Sequence, residues 1–157
     1  MTLVLLVVGK TTDPHIQTLI DDYTSRLTHY LPFTLQVIPE LKATRALTLD
    51  QQKAAEAQLI RKQLQPADRI ILLDEHGKER RSIDFAAWIQ KRIAAASRRI
   101  VFIVGGPYGF DSTLHDLADE EISLSQMTFS HQLIRLLFVE QLYRAFTILR
   151  NEPYHHE

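Results

Sequence analysis

Three stretches of this sequence, Leu3 to Val8, Ile70 to Leu73 and Ile100 to Val104, are apolar at every position. Short continuous runs rich in Val and Ile suit strands covered on both faces, as in a parallel sheet with helices on each side. Between them lie segments whose apolar residues recur at helical spacing. The alternation predicts an α/β fold with a mostly parallel sheet flanked by helices. The 157 residues fit one domain, 1–157, with a real core. No repeat, low-complexity tract or linker interrupts them.

Local signals place the elements. Asp13-Pro14 reads as an N-cap followed by proline at the first helical position. Ile16, Leu19, Ile20, Tyr23 and Leu27 then predict a helix to about His29, ended by Pro32. Phe33 to Val37 alternates, as a half-exposed strand near a sheet edge does. Thr48 and Gln51 fit a capping box for a helix to Leu64, preceded by a basic loop with Lys42 and Arg45. Glu75-His76-Gly77-Lys78 reads as a loop after the strand Arg69 to Asp74, and Ser82 as the cap of the next helix. A short helix from Asp111 to Leu117 and a short strand from Glu121 to Leu124 follow.

The last helix begins near Ser130, and its apolar residues, from Leu133 to Leu149, cover most of its circumference. Such a helix is buried on several sides. In a small domain its second apolar contact is most simply another subunit, so a homodimer is expected. Glu140 and Arg144 form an i, i+4 pair on its polar side.

Gly105-Gly106-Pro107-Tyr108-Gly109 follows the Ile100–Val104 run directly. In open α/β sheets ligands bind outside the carboxyl ends of strands, and glycine permits close backbone approach. The same turn serves equally as a tight strand-to-helix connection. It has neither the spacing of a dinucleotide fingerprint nor a P-loop lysine. Leu124-Ser125-Gln126-Met127-Thr128-Phe129 mixes apolar and small polar groups, as an apolar pocket with a few polar contacts requires, or as an ordinary connecting loop does. The seven histidines lack metal-ligand spacing and there is no cysteine, so no metal site is expected. The tail, Pro153-Tyr154-His155-His156-Glu157, offers an aromatic ring that can stack on a base and an imidazole that can move a proton.

The formal net charge of -1 argues against nucleic-acid binding by bulk positive charge, though not against a local basic patch. The apolar start lacks a basic n-region and is broken by Gly9-Lys10, so it reads as a strand and not as a signal peptide. No apolar run approaches the roughly 18 residues that span a bilayer. A cytoplasmic protein without membrane contact is expected.

Four pieces together, Ile103 to Gly109, Ser123 to His131, Glu140 to Ala145 and Pro153 to Glu157, resemble a bacterial family of small large-subunit rRNA methyltransferases of the SPOUT class. The likeness covers nearly the whole chain. It implies a C-terminal trefoil knot, which no sequence pattern reveals, and a homodimer. The implied cofactor is S-adenosyl-L-methionine. The implied reaction methylates N3 of a pseudouridine in the 23S rRNA of the assembled ribosome. By motif, Leu73, Gly105, Leu124, Ser125, Gln126, Met127, Thr128 and Phe129 are the implied cofactor contacts, and Arg144, Tyr154 and His155 the implied catalytic residues on the RNA side. Family tails often read Tyr-His-Arg-Glu, whereas here His156 stands in the arginine's place. The rival reading is a non-catalytic nucleotide-binding or regulatory α/β domain.

Overall fold

The computed structural model describes residues 1–96 and 98–157. In chain order the elements are β1 (Thr2–Val8), α1 (Pro14–Leu27), β2 (Phe33–Ile38), α2 (Leu49–Arg61), β3 (Arg69–Glu79), α3 (Ser82–Ala95), β4 (Arg99–Val104), α4 (Ser112–Leu117), β5 (Glu120–Ser123) and α5 (Leu133–Leu149). The strands form one sheet in the order β2-β1-β4-β3-β5. Every pairing in it is parallel. β2 is an edge strand, as its alternation predicts.

The continuous apolar runs are explained by two cores. Leu3, Leu5, Val7, Ile100, Phe102 and Val104 face one side of the sheet, with Ile20 and Leu27 of α1, Ile89 of α3 and Phe138 and Leu142 of α5. Val4, Leu6, Val8, Val101 and Ile103 face the other, with Ala57 and Ile60 of α2 and Leu114 of α4. Successive strand residues point to opposite faces, so a strand covered by helices on both sides has no position for a polar residue.

The predicted helix starts are largely present. Asp13 accepts the amides of His15 and Ile16 at 2.8 and 3.3 Å, and Thr48 and Gln51 complete both halves of the capping box. Three expectations need correction. The Glu75–Lys78 loop lies inside β3, which bulges and then rejoins β5: Leu73 and Lys78 both pair with Ile122. Gly77 fits there because its Cα lies against β5; a Cβ would come 2.6 Å from the Ile122 carbonyl carbon. Ser82 is the first helical residue and not the cap, and its hydroxyl donates to Gln141 at 2.9 Å. The last helix starts at Leu133, three residues after Ser130, because the Ser130 hydroxyl accepts the Leu133 amide at 3.0 Å and caps it from outside.

α5 packs between α1 and α3. Its all-round apolarity is met in part within the chain: Phe138, Val139, Leu142, Ala145 and Phe146 are buried, while Leu133 remains exposed and Leu137 half-buried. One residue of this helix is fully buried and charged. Arg135, 0% exposed, donates to the carbonyls of Val8 at 2.7 Å, Gly9 at 2.8 Å and His131 at 3.0 Å, and to the Thr11 hydroxyl at 3.0 Å. Beside it Gln132 donates to the Lys10 carbonyl at 3.0 Å and accepts the Thr12 amide at 2.7 Å. The start of α5 is thereby stitched to the end of β1. Burial pulls the Arg135 guanidinium below its ordinary pKa, and the nearby Glu40 carboxylate opposes that shift.

Arg135→Met leaves the Val8 and Gly9 carbonyls without their donor. It is expected to cost about 2–4 kcal/mol, read as a lower urea midpoint at fixed protein concentration. Arg135→Lys restores only part, because an ammonium cannot reproduce the planar fork. An unchanged midpoint for the Met variant would contradict this account.

Candidate functional site

The carboxyl ends of β3, β4 and β5 and the segments that follow them enclose a cavity of about 410 Å³. That is the size and position expected of a ligand site in an open α/β sheet. Leu73, Gly105, Leu124, Ser125, Met127, Thr128 and Phe129 all line it. Gln126 does not belong to the lining. Each wall has a local cause. Gly105 lies flat against the Phe110 ring, where a Cβ would come within 3.0 Å of the ring edge. The Gly106 amide donates to Glu56 of α2 at 3.0 Å, which holds the glycine turn down onto α2. Burial raises the Glu56 carboxyl pKa, against the lowering effect of that amide. Gly109 turns the chain at φ +84°, a conformation glycine adopts without strain.

The opposite wall is fixed by its own hydrogen bonds. Ser123 Oγ donates to the Ser125 carbonyl at 2.7 Å, and the Met127 amide donates to Ser125 Oγ at 3.0 Å. Thr128 Oγ1 donates to Glu75 Oε2 at 2.7 Å, joining this segment to the β3 bulge. Met127, 73% exposed, stands at the mouth. The bulge contributes Asp74, Glu75 and His76 to the lining, and α2 contributes Lys53. The resemblance supplied none of these four. For three of them a signal was present in the sequence: Asp74-Glu75-His76-Gly77 directly follows a buried run, at a carboxyl end where ligands bind. His131 and Ile134, at the start of α5, complete one side.

Arg144, Tyr154 and His155 are brought together, but elsewhere. Arg144 lies about 15 Å along α5 from Ile134, at 1.5 Å per residue, and Tyr154 and His155 of the tail pack beside it. Pro153 turns the tail back onto α1 and α5. Arg144 donates through Nη2 to Glu140 Oε1, and through Nη1 to His155 Nδ1 at 3.1 Å. A guanidinium has no acceptor, so the direction of the second bond is fixed and His155 offers Nδ1 as a lone pair. The neutral imidazole then carries its proton on Nε2, which is buried, makes no hydrogen bond among the described residues and lies 3.5 Å from Glu157 Oε1. Tyr154 donates to Glu140 Oε1 at 3.0 Å and lies 3.1 Å from the Tyr23 hydroxyl. The Arg144 guanidinium sits 4.8 Å over the Tyr154 ring. The Glu140–Arg144 pair is therefore no solvated surface pair; its side chains are 19% and 24% exposed. His156 is exposed.

The tail is held by a second tyrosine. Tyr30 of the α1–β2 connection donates to Glu152 at 2.6 Å and stacks on Phe146. Burial, reinforced by Glu152, pushes its pKa up to about 12. Burial also raises Tyr154, together with its bonds to Tyr23 and Glu140.

Among the described residues no group of three or more His, Asp or Glu side chains is placed to hold a metal ion, and no helix is long and apolar enough to cross a membrane. Fold and cavity thus define an α/β protein with a ligand site at the carboxyl edge of a parallel sheet. A family model described as predicted SPOUT methyltransferase matches residues 1–155, and the chain belongs to that family. It is 56% identical over 157 residues, all of both chains, to the ribosomal RNA large subunit methyltransferase H of Bacteroides fragilis. It is 57% identical, again over all of both, to the protein of that name from Phocaeicola vulgatus. The solved structure of a probable methylase family protein from Haemophilus influenzae shares the fold, with a TM-score of 0.50 at 11% identity, over 99% of this chain and 70% of that one.

The Tyr30 bond generates a pH prediction. A raised folded pKa means a stabilising contribution fully present below the ordinary tyrosine value of about 10 and lost as the pH rises through about 12. Tyr30→Phe is expected to cost about 1 kcal/mol at neutral pH, with the difference from the parent vanishing as the pH climbs through that window. Denaturant unfolding beside a tyrosine absorbance titration measures both.

Proposed function

We propose that this protein is a single-domain SPOUT methyltransferase spanning 1–157. It transfers a methyl group from S-adenosyl-L-methionine to N3 of a pseudouridine in the 23S rRNA of the assembled ribosome, and it works as a cytoplasmic homodimer. The observation that carries this reading is the full-length match, above 55% identity, to proteins named ribosomal RNA large subunit methyltransferase H.

The cavity fits the cofactor. Leu73, Leu124 and Phe129 give apolar walls for a heterocycle, and Gly105 permits close backbone approach. Asp74 and Glu75 bring carboxylates to a ligand that is a sulfonium cation. When bound, S-adenosyl-L-methionine supplies an already activated methyl group. The protein therefore has mainly to position the two reactants and exclude water. The acceptor nitrogen must also lose its proton. Arg144 is the residue we assign to meet negative charge on the RNA side, whether phosphate or a carbonyl oxygen. In the structure its guanidinium occupies the Nδ1 lone pair of His155, so His155 becomes a proton acceptor at that atom only after Arg144 turns away.

Two features support the dimer. Leu133 is exposed and Leu137 half-buried on α5, an apolar stripe left over after intrachain packing. Arg144 and the tail lie about 15 Å along α5 from the cofactor cavity of their own chain, so we infer that the tail of one protomer completes the site of the other. The net charge of -1 favours a preformed target read by shape over free RNA. The knot of the class is likewise our inference. It is supported by the chain's passage from β5 at one edge to the end of β1, where Gln132 and Arg135 are tied.

Calorimetry is expected to show binding of S-adenosyl-L-methionine and none of ATP or NAD; the reverse would favour a non-catalytic nucleotide-binding domain. Mass spectrometry of rRNA from cells lacking the protein is expected to show one pseudouridine without its methyl. Arg144→Ala should lose methyl transfer to such ribosomes while keeping cofactor affinity, and unchanged turnover would refute its role. Deleting Tyr154 to Glu157 should leave a folded, inactive dimer. Mixed dimers carrying Arg144→Ala in one chain and a cavity mutation in the other test the shared site: they should retain one working site only if the two halves come from different chains.

A further inference from the structure

The glycine turn, residues 105–109, forms one wall of the cavity at the carboxyl edge of the sheet. Glu56 does not belong to the lining. It stands behind that wall on α2 and accepts the Gly106 amide through Oε1 at 3.0 Å. Among the described residues this is the one hydrogen bond from residues 106–110 to another element. The far end of the turn is pinned by the buried Phe110 ring, while Pro107 and Tyr108 at the tip are exposed. Lys53, one helical turn before Glu56, reaches the cavity itself. The face of α2 that carries both residues is therefore turned to the site.

The same contact explains why residue 106 is glycine. Gly106 does not adopt a positive φ, so the backbone itself does not demand glycine there. Space does: a Cβ would come 2.6 Å from Glu56 Oε2. One carboxylate oxygen takes the amide, and the other fills the place of a side chain. Gly105 and Gly106 also share one peptide unit. That unit is planar and trans, so its N–H and C=O point in opposite directions. With the N–H turned back to Glu56, the Gly105 carbonyl is turned away from it. Among the described residues that carbonyl accepts no hydrogen bond. A peptide between two glycines meets little steric resistance to flipping. Glu56 thus decides which of its two polar groups faces away from α2.

We propose that Glu56 is a positioning residue for the cofactor: it locks the Gly105–Gly106 peptide with its carbonyl free for a hydrogen-bond donor of the ligand, and so holds the turn in its binding arrangement before the ligand arrives. The inference rests on the methyltransferase reading above. Released from Glu56, the turn divides its time between arrangements, and apparent affinity falls by the fraction spent in the competent one; a fraction of one tenth gives a roughly tenfold weaker complex. The role needs an acceptor and not a charge. The nearby Glu40 carboxylate already repels that of Glu56, so a glutamine keeps the bond and loses the repulsion. The turn meets the cofactor before and during the reaction alike, so the effect falls on KM for the cofactor and not on kcat.

The test uses the full-length protein, calorimetry with S-adenosyl-L-methionine, and turnover on ribosomes from cells that lack the protein. Glu56→Ala should bind the cofactor about tenfold more weakly, with KM for the cofactor raised in step and kcat unmoved. Glu56→Gln should bind like the wild type. Gly106→Ala should reproduce the loss, because its Cβ displaces the carboxylate. In the Glu56→Ala background the same methyl has room and should cost nothing further. Without ligand, hydrogen exchange at the Gly106 amide should be slow in the wild type and in Glu56→Gln, and fast in Glu56→Ala. Wild-type affinity in Glu56→Ala would overturn the positioning role. So would a loss that glutamine does not restore, or losses that add in the double variant. If Glu56→Ala does not fold, the other two single variants decide: affinity kept in Glu56→Gln and lost in Gly106→Ala supports the role, and any other result overturns it. If the wild-type protein does not bind S-adenosyl-L-methionine, the methyltransferase reading fails, and the positioning role with it, even where exchange shows the Gly106 amide held by Glu56.

Discussion

A single buried guanidinium holds the two ends of this fold together. Arg135 removes its charge from water and satisfies it with backbone carbonyls at the end of β1 and the start of α5. Desolvating such a group costs several kcal/mol, which is tolerable only because nearly every donor finds an acceptor. What the bond network accomplishes is placement. The first strand and the last helix are far apart in sequence, yet the site depends on their junction. His131 and Ile134 reach the cavity at the carboxyl edge of the sheet because Gln132 and Arg135 fix the turn before α5. The same anchoring sets the direction in which α5 carries Glu140 and Arg144.

From that anchor the chemistry divides along the helix. At its start α5 closes a cavity with apolar walls and carboxylates at one edge. Further along, Glu140 gathers Arg144, Tyr154 and, through Arg144, His155 into a cluster that is mostly buried. Between the two lies a smaller cavity lined by Lys78, Arg80, Ser82 and Gln141.

Much of the fold was legible in the sequence, for reasons that can be traced to residues. Asp13-Pro14 and Thr48/Gln51 announced helix starts because a capped amide is a local interaction. The glycine turn and the Leu124–Phe129 segment were recognisable as a pair through their resemblance to a family, and all but Gln126 of the assigned cofactor residues line one cavity. The sequence pattern of the β3 bulge is that of a loop, because its second half pairs with β5, a contact no local pattern encodes. Ser82 looked like a cap and instead serves Gln141, a partner far along the chain.

The sequence by itself determined the α/β class, because strands buried on two faces leave no room for polar residues and the apolar runs record that directly. It also determined the family, through motifs whose joint spacing is specific. Tertiary structure alone decided that Arg135 is a core residue, that Asp74 to His76 reach the cavity at the carboxyl edge of the sheet, and that Arg144 is shared between Glu140 and His155. A charged residue on a helix reads the same in sequence whether it faces water or three carbonyls. Only the folded chain brings those carbonyls within hydrogen-bonding distance.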